Sequence, residues 1–289
     1  MRLLAVEAVP YYLQLLCLLV FSLVLLGISV WALLAFFFFS STLLLAHWIL
    51  NVASVFRRKK LAAQKQPLMI LQGIAPSHFT EKVRWCLDVI GEPYVEEQDL
   101  GVLGIVSIGR SVPRLCIPGA NTYIGDSSEI LRYLCGLYGH TERGKFLRPD
   151  DMVRALELEM LFNKMAVSFQ IYVYYYRTRD RDATIKFWGE AEPSVPQWQK
   201  LVMKAVYPLC KGFIFNGLRI TPASAQSAFE NIEKTFAEVE SILSDGRTHL
   251  LGTDQFTFVD IVWASLAGPA VRHANYGGGR LTKGWPLPR

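Results

Sequence analysis

Apolar residues are unevenly distributed, and the start of the chain is an almost unbroken apolar segment. No Asp, Glu, Lys or Arg occurs between Glu7 and Arg57, and residues 11–39 are apolar with few interruptions. About 20 such residues in a helix cross a lipid bilayer. We therefore predict a membrane anchor over residues 1–60, with a transmembrane helix as its main part.

Two alternatives for this segment stay open. A cleaved signal peptide has an apolar core of only about 7 to 15 residues, so the length of this run favours retention. The stretch 43–56 is too short to span a bilayer alone and either lies along the interface or completes a two-span hairpin.

The basic cluster Arg57 to Lys60, with Lys65, predicts by the positive-inside rule that the rest of the chain is cytosolic.

Past a short linker, the pattern becomes one of short apolar runs alternating with amphipathic helices. The apolar run Met69, Ile70 and Leu71 predicts a short strand that turns through Gly73 to Ser77, and residues 80–90 carry apolar side chains at helical spacing. Turn residues separate these segments from a second pair of the same kind. The order is a strand, a helix whose start carries Ser77, a strand led by Val112 and Pro113, and a helix capped by Asp126 or Ser127.

The second half of the folded region is predicted to be helical throughout. Residues 225–243 carry apolar side chains along one face, and Thr257 with Asp260 forms a capping box before a further apolar helix. The fold class is therefore an α/β domain followed by an all-α domain. We place the first at 67–139 and the second at 151–289, joined by a connection rich in turn residues.

Charge argues against nucleic-acid binding. The chain has 30 Lys and Arg against 25 Asp and Glu, a formal net charge of +5. Arg2 and the five basic residues of 57–65 account for the excess, because setting them and Glu7 aside leaves 24 residues of each sign. The folded part is neutral, whereas a nucleic-acid-binding domain needs a basic face of its own.

The cysteines give no sign of a metal site or of a disulfide framework. Cys17, Cys86, Cys116, Cys135 and Cys210 form no C-x-x-C pair and lie within apolar runs. Cysteine in such surroundings behaves as a small apolar residue. We predict reduced thiols and no bound metal.

The order of motifs in residues 68–134 resembles the glutathione-binding half of the glutathione transferase family, and the capping-box helix resembles the core helix of its second domain. The likeness covers about residues 68–270 and does not include the apolar segment at the start. It implies a thioredoxin-like domain followed by an all-helical domain. It rests on Ser77 with Lys82, Val83 and Arg84 behind it, on the Val112-Pro113 pair, and on Asp126-Ser127 at a helix start.

The resemblance also implies a site for glutathione. The hydroxyl of Ser77 would donate a hydrogen bond to the glutathione sulfur and favour its thiolate form. The backbone of Val112, preceding a cis Pro113, would pair with the cysteinyl part of glutathione. Ser127 and its helix amides would bind the γ-glutamyl carboxylate, with Asp126 near the amine.

Taken by themselves, the same residues have structural explanations. Serine is among the commonest helix caps, so Ser77 could be only a cap, and so could Asp126 or Ser127. Thr80 is a second candidate for either the cap or the active hydroxyl. His78 is expected to face solvent.

The aromatic run Tyr172 to Tyr176 is open to two interpretations. It either lines an apolar pocket or supplies helix core and a dimer surface, because consecutive aromatic residues point in several directions around a helix. Family members continue beyond the helix that the capping box begins, whereas this chain goes on with Tyr276 and a run of glycines. The resemblance therefore does not define the residues that form the rim of the acceptor pocket.

The sequence thus predicts a membrane-anchored glutathione transferase that conjugates glutathione to hydrophobic electrophiles. Its partners would be glutathione, a hydrophobic small-molecule acceptor, the lipid bilayer and a second copy in a homodimer, with no nucleic acid. A glutathione-dependent thiol reductase or isomerase is disfavoured because such relatives generally use Cys where Ser77 stands. The alternative from another class is a non-catalytic tether, carrier or assembly subunit of a membrane complex.

Overall fold

The structure is a computed structural model, and it divides the chain into two units. It describes residues 9–25, 30–42, 45, 49, 68–103, 105, 112–117, 122–252, 255–271 and 276. Met1–Pro67 forms one unit and Leu68–Arg289 forms the other. Each unit is described by itself below.

The described part of the first unit is helical. Helix α1 covers Val9–Leu25, and a second helix, α2, covers 30–42. Among the described residues, no helix is both long and apolar enough to span a membrane, so the predicted transmembrane helix is not found there. The basic cluster 57–65 and most of 43–56 lie outside the described residues.

The second unit begins with a four-stranded sheet in the order β2-β1-β3-β4. Strand β1 is parallel to β2 and antiparallel to β3, and β3 is antiparallel to β4. Leu71, on the buried inner strand β1, lies between Glu96 of β2 and Leu115 of β3. The strands are β1 Met69–Ile74, β2 Tyr94–Asp99, β3 Arg114–Ile117 and β4 Thr122–Gly125.

Two helices complete this α/β part. Helix α3, His78–Ile90, connects β1 to β2 and ends at Gly91, whose φ of 71° suits a glycine C-cap. Helix α4, Ser127–Tyr138, follows β4 directly. The resulting βαβ unit and ββα unit form the arrangement of a thioredoxin-like domain, as predicted.

The rest of the unit is helical, which confirms the predicted order of an α/β part and an all-helical part. Thr221 and Ser224 form a reciprocal capping box at the start of the predicted 225–243 helix. At the predicted second box, the Asp260 carboxylate accepts hydrogen bonds from the Thr257 and Leu250 amides, at 2.8 and 2.9 Å. The helices are α5 Met152–Arg177, α6 Arg181–Phe187, α7 Gln197–Gly217, α8 Pro222–Leu243 and α9 Phe258–Val271.

Two clusters of buried side chains hold the second unit together. The larger joins β1, α3 and α4 to α5, α8 and α9, with Leu71, Phe162 and Val259 fully buried. The smaller joins the segment after β2 to α6 and α7 around Trp188, which is also fully buried. At Gly101, within that segment, an added Cβ would lie 2.5 Å from the Trp188 ring, so the close approach requires glycine.

Candidate functional site

Four of the five residues predicted for the glutathione site line one cavity of about 460 Å³. Ser77, Val112, Asp126 and Ser127 come from three separate segments and surround this space together. Pro113 is not among the lining residues, but the Val112–Pro113 peptide bond is cis, as the resemblance implies. The structure therefore brings the three motifs to one place.

Ser77 lies where the chain enters α3 and is its N-cap. Its Oγ accepts a hydrogen bond from the Thr80 amide at 3.2 Å. That bond uses an oxygen lone pair, so the hydroxyl hydrogen stays available for donation. Ser77 is half-buried at the cavity wall and at the positive end of the α3 dipole. The same side chain can thus cap the helix and donate to a ligand.

Thr80 is not placed to serve as the active hydroxyl. Its side chain is fully buried and does not line the cavity. An added Cβ at Gly73 would lie 2.6 Å from the Thr80 side chain, so Thr80 packs closely on the backbone of β1. Thr80 supplies the amide that Ser77 caps, and it contributes to the core.

His78 is buried, which corrects the expectation that it faces solvent. It is 5% exposed, and its ring hydrogen-bonds to the backbone of Ala166 in α5. Burial lowers its pKa to about 4, because desolvation disfavours the charged imidazolium. The covering element lies almost ninety positions away in the chain, so no local pattern indicates it. Next to Ser77, His78 is therefore a neutral ring at physiological pH.

Asp126 and Ser127 differ in burial and in local role. Asp126 is exposed and caps α4, its Oδ1 accepting from the Ser128 amide at 2.8 Å. Its φ of 69° is unfavourable for a residue with a side chain, and such strain tends to occur at functional sites. Ser127 is 3% exposed and is the first residue of α4. The helix start thus places an exposed carboxylate and a buried serine beside the cavity.

A buried charged network contacts this helix start through Ser128. Lys82 of α3 is fully buried, and its Nζ lies 2.7 Å from Oε1 of Glu159 in α5 and 3.0 Å from Oγ of Ser128. Asn163, also in α5, donates to the same Ser128 hydroxyl at 3.1 Å. The network joins α3, α4 and α5 one residue away from Ser127. In the sequence, Lys82 belongs to the motif behind Ser77, and no local pattern indicates its contacts with α4 and α5.

Tyr276 fixes the turn before Ser77, and no sequence signal indicated it. Its hydroxyl donates to the carbonyl of Pro76 at 3.0 Å, and the side chain is 1% exposed. On the other side of that peptide unit, the Ser77 amide donates to the carbonyl of Ile74 at 2.9 Å. The Pro76–Ser77 peptide is thus held at both its carbonyl and its amide. The ring also fills the space beside Gly268 in α9.

The opposite wall of the cavity is apolar and comes from the all-helical part. From the aromatic run and its neighbours, Phe169, Val173 and Tyr174 line the cavity. Tyr172 instead stacks on Phe229 of α8 at 5.4 Å between ring centroids. The pocket interpretation therefore holds for Val173 and Tyr174, and Tyr172 packs within the helical part, while the dimer surface stays a prediction. Helices α6 and α7 complete this wall with Phe187, Phe213, Ile214, Gly217 and Leu218.

Neither thiols nor clustered metal ligands contribute to this site. Within the described residues, no group of three or more His, Cys, Asp or Glu side chains could hold a metal ion. The five cysteines are free thiols, and the cavity lining includes none of them. Burial raises the pKa of the Cys210 thiol to about 11 and also raises the pKa of the Cys86 thiol. These two thiols are therefore protonated at neutral pH.

Comparison with known proteins gives similar solved structures only. No protein-family model and no curated protein matches the chain. A glutathione transferase from Phanerochaete chrysosporium is 15% identical, with a TM-score of 0.48, over 75% of this chain and 96% of that one. Another from the same fungus is 19% identical, with a TM-score of 0.45, over 69% and 82%. A glutathione S-transferase from Ceriporiopsis subvermispora, solved in complex with glutathione, is 18% identical, with a TM-score of 0.45, over 75% and 94%.

Proposed function

We propose that this chain is a glutathione transferase, in which Ser77 promotes ionisation of the glutathione thiol. One observation carries the proposal: a hydroxyl at a helix start, the residue before a cis proline and an Asp-Ser pair line the same cavity. The cavity of about 460 Å³ is within the usual range of small-molecule sites. These three motifs are the ones on which the sequence resemblance rests.

The proposed chemistry follows from the properties of a thiol. A cysteine thiol has a pKa near 8.5, so at neutral pH only a few per cent is the nucleophilic thiolate. A hydrogen bond from Ser77 and the dipole of α3 both favour the thiolate, and lowering the pKa by two would correspond to about 2.7 kcal/mol. Ser77 stabilises the sulfur anion and is not itself a nucleophile.

The rest of glutathione would occupy the α/β side of the cavity. Its γ-glutamyl carboxylate would lie at the start of α4, where Ser127 and the helix amides favour an anion. Asp126 would lie near the γ-glutamyl amine, and the Val112 backbone would pair with the cysteinyl part. These roles agree with the positions of the three residues around the cavity.

The acceptor would be a hydrophobic electrophile bound against the apolar wall. Phe169, Phe187 and Phe213 lie on that wall. The thiolate sulfur would form a bond to the electrophilic carbon, and a leaving group, where there is one, would depart with the electron pair of the bond that breaks. The buried, neutral His78 adds no positive charge that would compete with the acceptor for the thiolate.

Membrane attachment through residues 1–60 is part of the same proposal. It is supported by the uncharged apolar stretch from Glu7 to Arg57 and by the basic cluster that follows. Sealed membrane vesicles carrying the chain, cytosolic face outward, test it. We expect the chain to resist carbonate extraction, and added protease to digest residues 68–289. Extraction into the carbonate supernatant would contradict attachment.

Two measurements test the catalytic proposal. The full chain should be retained on immobilised glutathione. Ser77→Ala should lower the rate of conjugation to a general electrophile by about 25-fold at pH 7, because a thiol pKa that returns from about 6.5 to about 8.5 lowers the thiolate fraction from about three quarters to about 3%. Glutathione affinity should change little. Ser77→Thr is the matched control, since it keeps both the cap and the hydroxyl. Absence of glutathione retention would overturn the proposal and leave the non-catalytic tether, carrier or assembly subunit.

A further inference from the structure

Helix α7 has one long apolar face that is largely exposed. At 100° per residue, its members lie within an arc of about 140° and include no charged side chain. Leu201 is 79% exposed, Leu209 is 76% exposed and Phe213 is 57% exposed. Exposed apolar residues scattered singly are ordinary, but a contiguous face marks an interaction site. This α7 apolar face consists of Trp198, Leu201, Val202, Ala205, Pro208, Leu209 and Phe213.

The charged side chains of α7 itself are all lysines, and they lie beside this face. Lys200, Lys204 and Lys211 form a row along one side of α7, and the helix contains no acidic residue. The side chain of Lys204 is 59% exposed and lies 3.5 Å from Glu190, while Lys200 donates to the carbonyl of Glu192 at 2.8 Å. An apolar face edged with lysine is the pattern of a helix lying in a membrane interface.

We propose that the α7 apolar face docks on an anionic membrane surface. Trp198 supplies an aromatic ring of the kind enriched at the lipid headgroup level, and the leucines reach the acyl boundary. The lysine row is complementary to phosphate and carboxylate headgroups. A second copy fits less well, because pairing two such faces brings lysine rows together on helices that carry no acid.

This surface is continuous with the cavity. Phe213 belongs to the α7 apolar face and also lines the cavity, and Ile214 and Leu218, just beyond it on the chain, line the cavity as well. A docked α7 would therefore place the apolar wall beside the lipid. Lipid-dissolved electrophiles would then enter the cavity past Phe213. This entry route is the one part of the inference that rests on the proposed transferase function.

Photo-cross-linking of the full chain tests the contact. The probe is p-benzoylphenylalanine, introduced as Leu201→p-benzoylphenylalanine or Leu209→p-benzoylphenylalanine. The control is Val153→p-benzoylphenylalanine, because Val153 is 71% exposed on α5. Vesicles contain phosphatidylcholine with phosphatidylserine. Illumination should add the mass of one phospholipid at the two α7 positions and little at the control. Covalent dimers, adducts to protein, or equal lipid labelling at Val153 would overturn the proposal.

A kinetic test separates this inference from the proposed function. The double variant Leu201→Glu with Leu209→Glu should lose conjugation of a lipid-dissolved electrophile several-fold in vesicles. Its activity on a water-soluble electrophile and its retention on glutathione should be unchanged, because neither residue lines the cavity. Unchanged activity on the lipid-dissolved compound would overturn the docking. Failure of the wild-type chain to bind glutathione would instead overturn the transferase proposal, and the lipid adducts would remain measurable.

Discussion

At the residue scale, Ser77 combines two roles that sequence reasoning treats as alternatives. Its oxygen accepts the capping hydrogen bond from Thr80, and its hydrogen is available to a ligand. A serine cap and a thiol-activating serine are therefore compatible in one side chain. The adjoining His78 is buried and neutral, so the local field at the sulfur would come from the helix dipole and the hydroxyl.

Burial of His78 predicts a loss of stability in mild acid. Its pKa is about 4 in the folded chain and near 6.5 when unfolded, so below about pH 6.5 the unfolded chain binds a proton that the folded chain excludes. The free energy of unfolding should fall by about 2 kcal/mol between pH 7 and about pH 5. Urea unfolding of the wild type and of His78→Gln, which does not titrate, measures this. His140→Gln, at an exposed position, should keep the wild-type pH dependence, and an equal pH dependence in His78→Gln would contradict the prediction.

Removing the Tyr276 hydroxyl should disturb Ser77 from a distance. Tyr276→Phe leaves the Pro76 carbonyl without the donor that the structure shows, at a cost of about 1–3 kcal/mol in the free energy of unfolding. Under the proposed function, a shift of this turn should move the pH midpoint of kcat/KM upward, because Ser77 would then stabilise the thiolate less well. Tyr94→Phe is the control, since it removes a tyrosine hydrogen bond to Asp88. A lowered stability with an unchanged pH midpoint would show that Tyr276 stabilises the fold without influencing Ser77.

The residues that sequence identified are those whose roles are local. Ser77 and Asp126 are caps, and a cap is determined by side chain and helix start within a few positions. His78 and Tyr276 acquire their roles from contacts with distant segments, one with Ala166 and the other with Pro76 two hundred residues earlier. Neither contact has a signature in spacing or composition.

At the element scale, the buried Lys82–Glu159 pair fixes α3 against α5. Lys82→Met should lower the free energy of unfolding by about 3–5 kcal/mol, because it leaves the Glu159 carboxylate buried with little compensation. Arg132, at 3.8 Å, is the other cation near that carboxylate in the described structure. Chemical denaturation measures the effect.

Two further variants make that measurement specific. The double change Lys82→Met with Glu159→Met should recover most of the lost stability, since no charge then remains unpaired in the core. Lys145→Met removes one partner of an exposed pair and should change stability by less than about 0.5 kcal/mol. A double variant as unstable as Lys82→Met alone would contradict this explanation.

Whether the sequence could predict a helix depended on how clearly its apolar and polar residues alternate. The helices α3, α4 and α8 alternate apolar and polar faces, so their periodicity is visible in sequence. Helix α7 is apolar on both its buried and its exposed side, which hides the period. The N-terminal apolar run predicted a transmembrane helix with one span or two left open, and among the described residues no helix is long and apolar enough to cross a membrane.

At the scale of the whole molecule, the second unit should unfold cooperatively, although sequence divides it into domains 67–139 and 151–289. Its larger cluster contains Leu71 and Val83 from one side and Leu158 and Val259 from the other. The most protected amides of α3, α5 and α9 should therefore share one free energy of opening in hydrogen exchange.

A core substitution tests that cooperativity directly. Leu158 is 1% exposed on α5, and Leu158→Ala should cost about 2–5 kcal/mol. Protection in β1 and α3 should fall as much as in α5 if one transition governs both parts. Leu201→Ala, on the exposed side of α7, should leave all of these values nearly unchanged. Loss of protection confined to α5 would show that the two predicted domains open separately.

The cavity has two walls of different origin, and this division has a bearing on how such a protein could diversify. Strand ends and helix starts of the α/β part hold Ser77, Val112 and Ser127, while α5, α6 and α7 supply the apolar side. Under the proposed function, substitutions on the helical side alter which compounds are accepted and leave the residues around the thiol unchanged. A lineage with that function would keep its reaction in one part of the fold and revise its choice of target in the other.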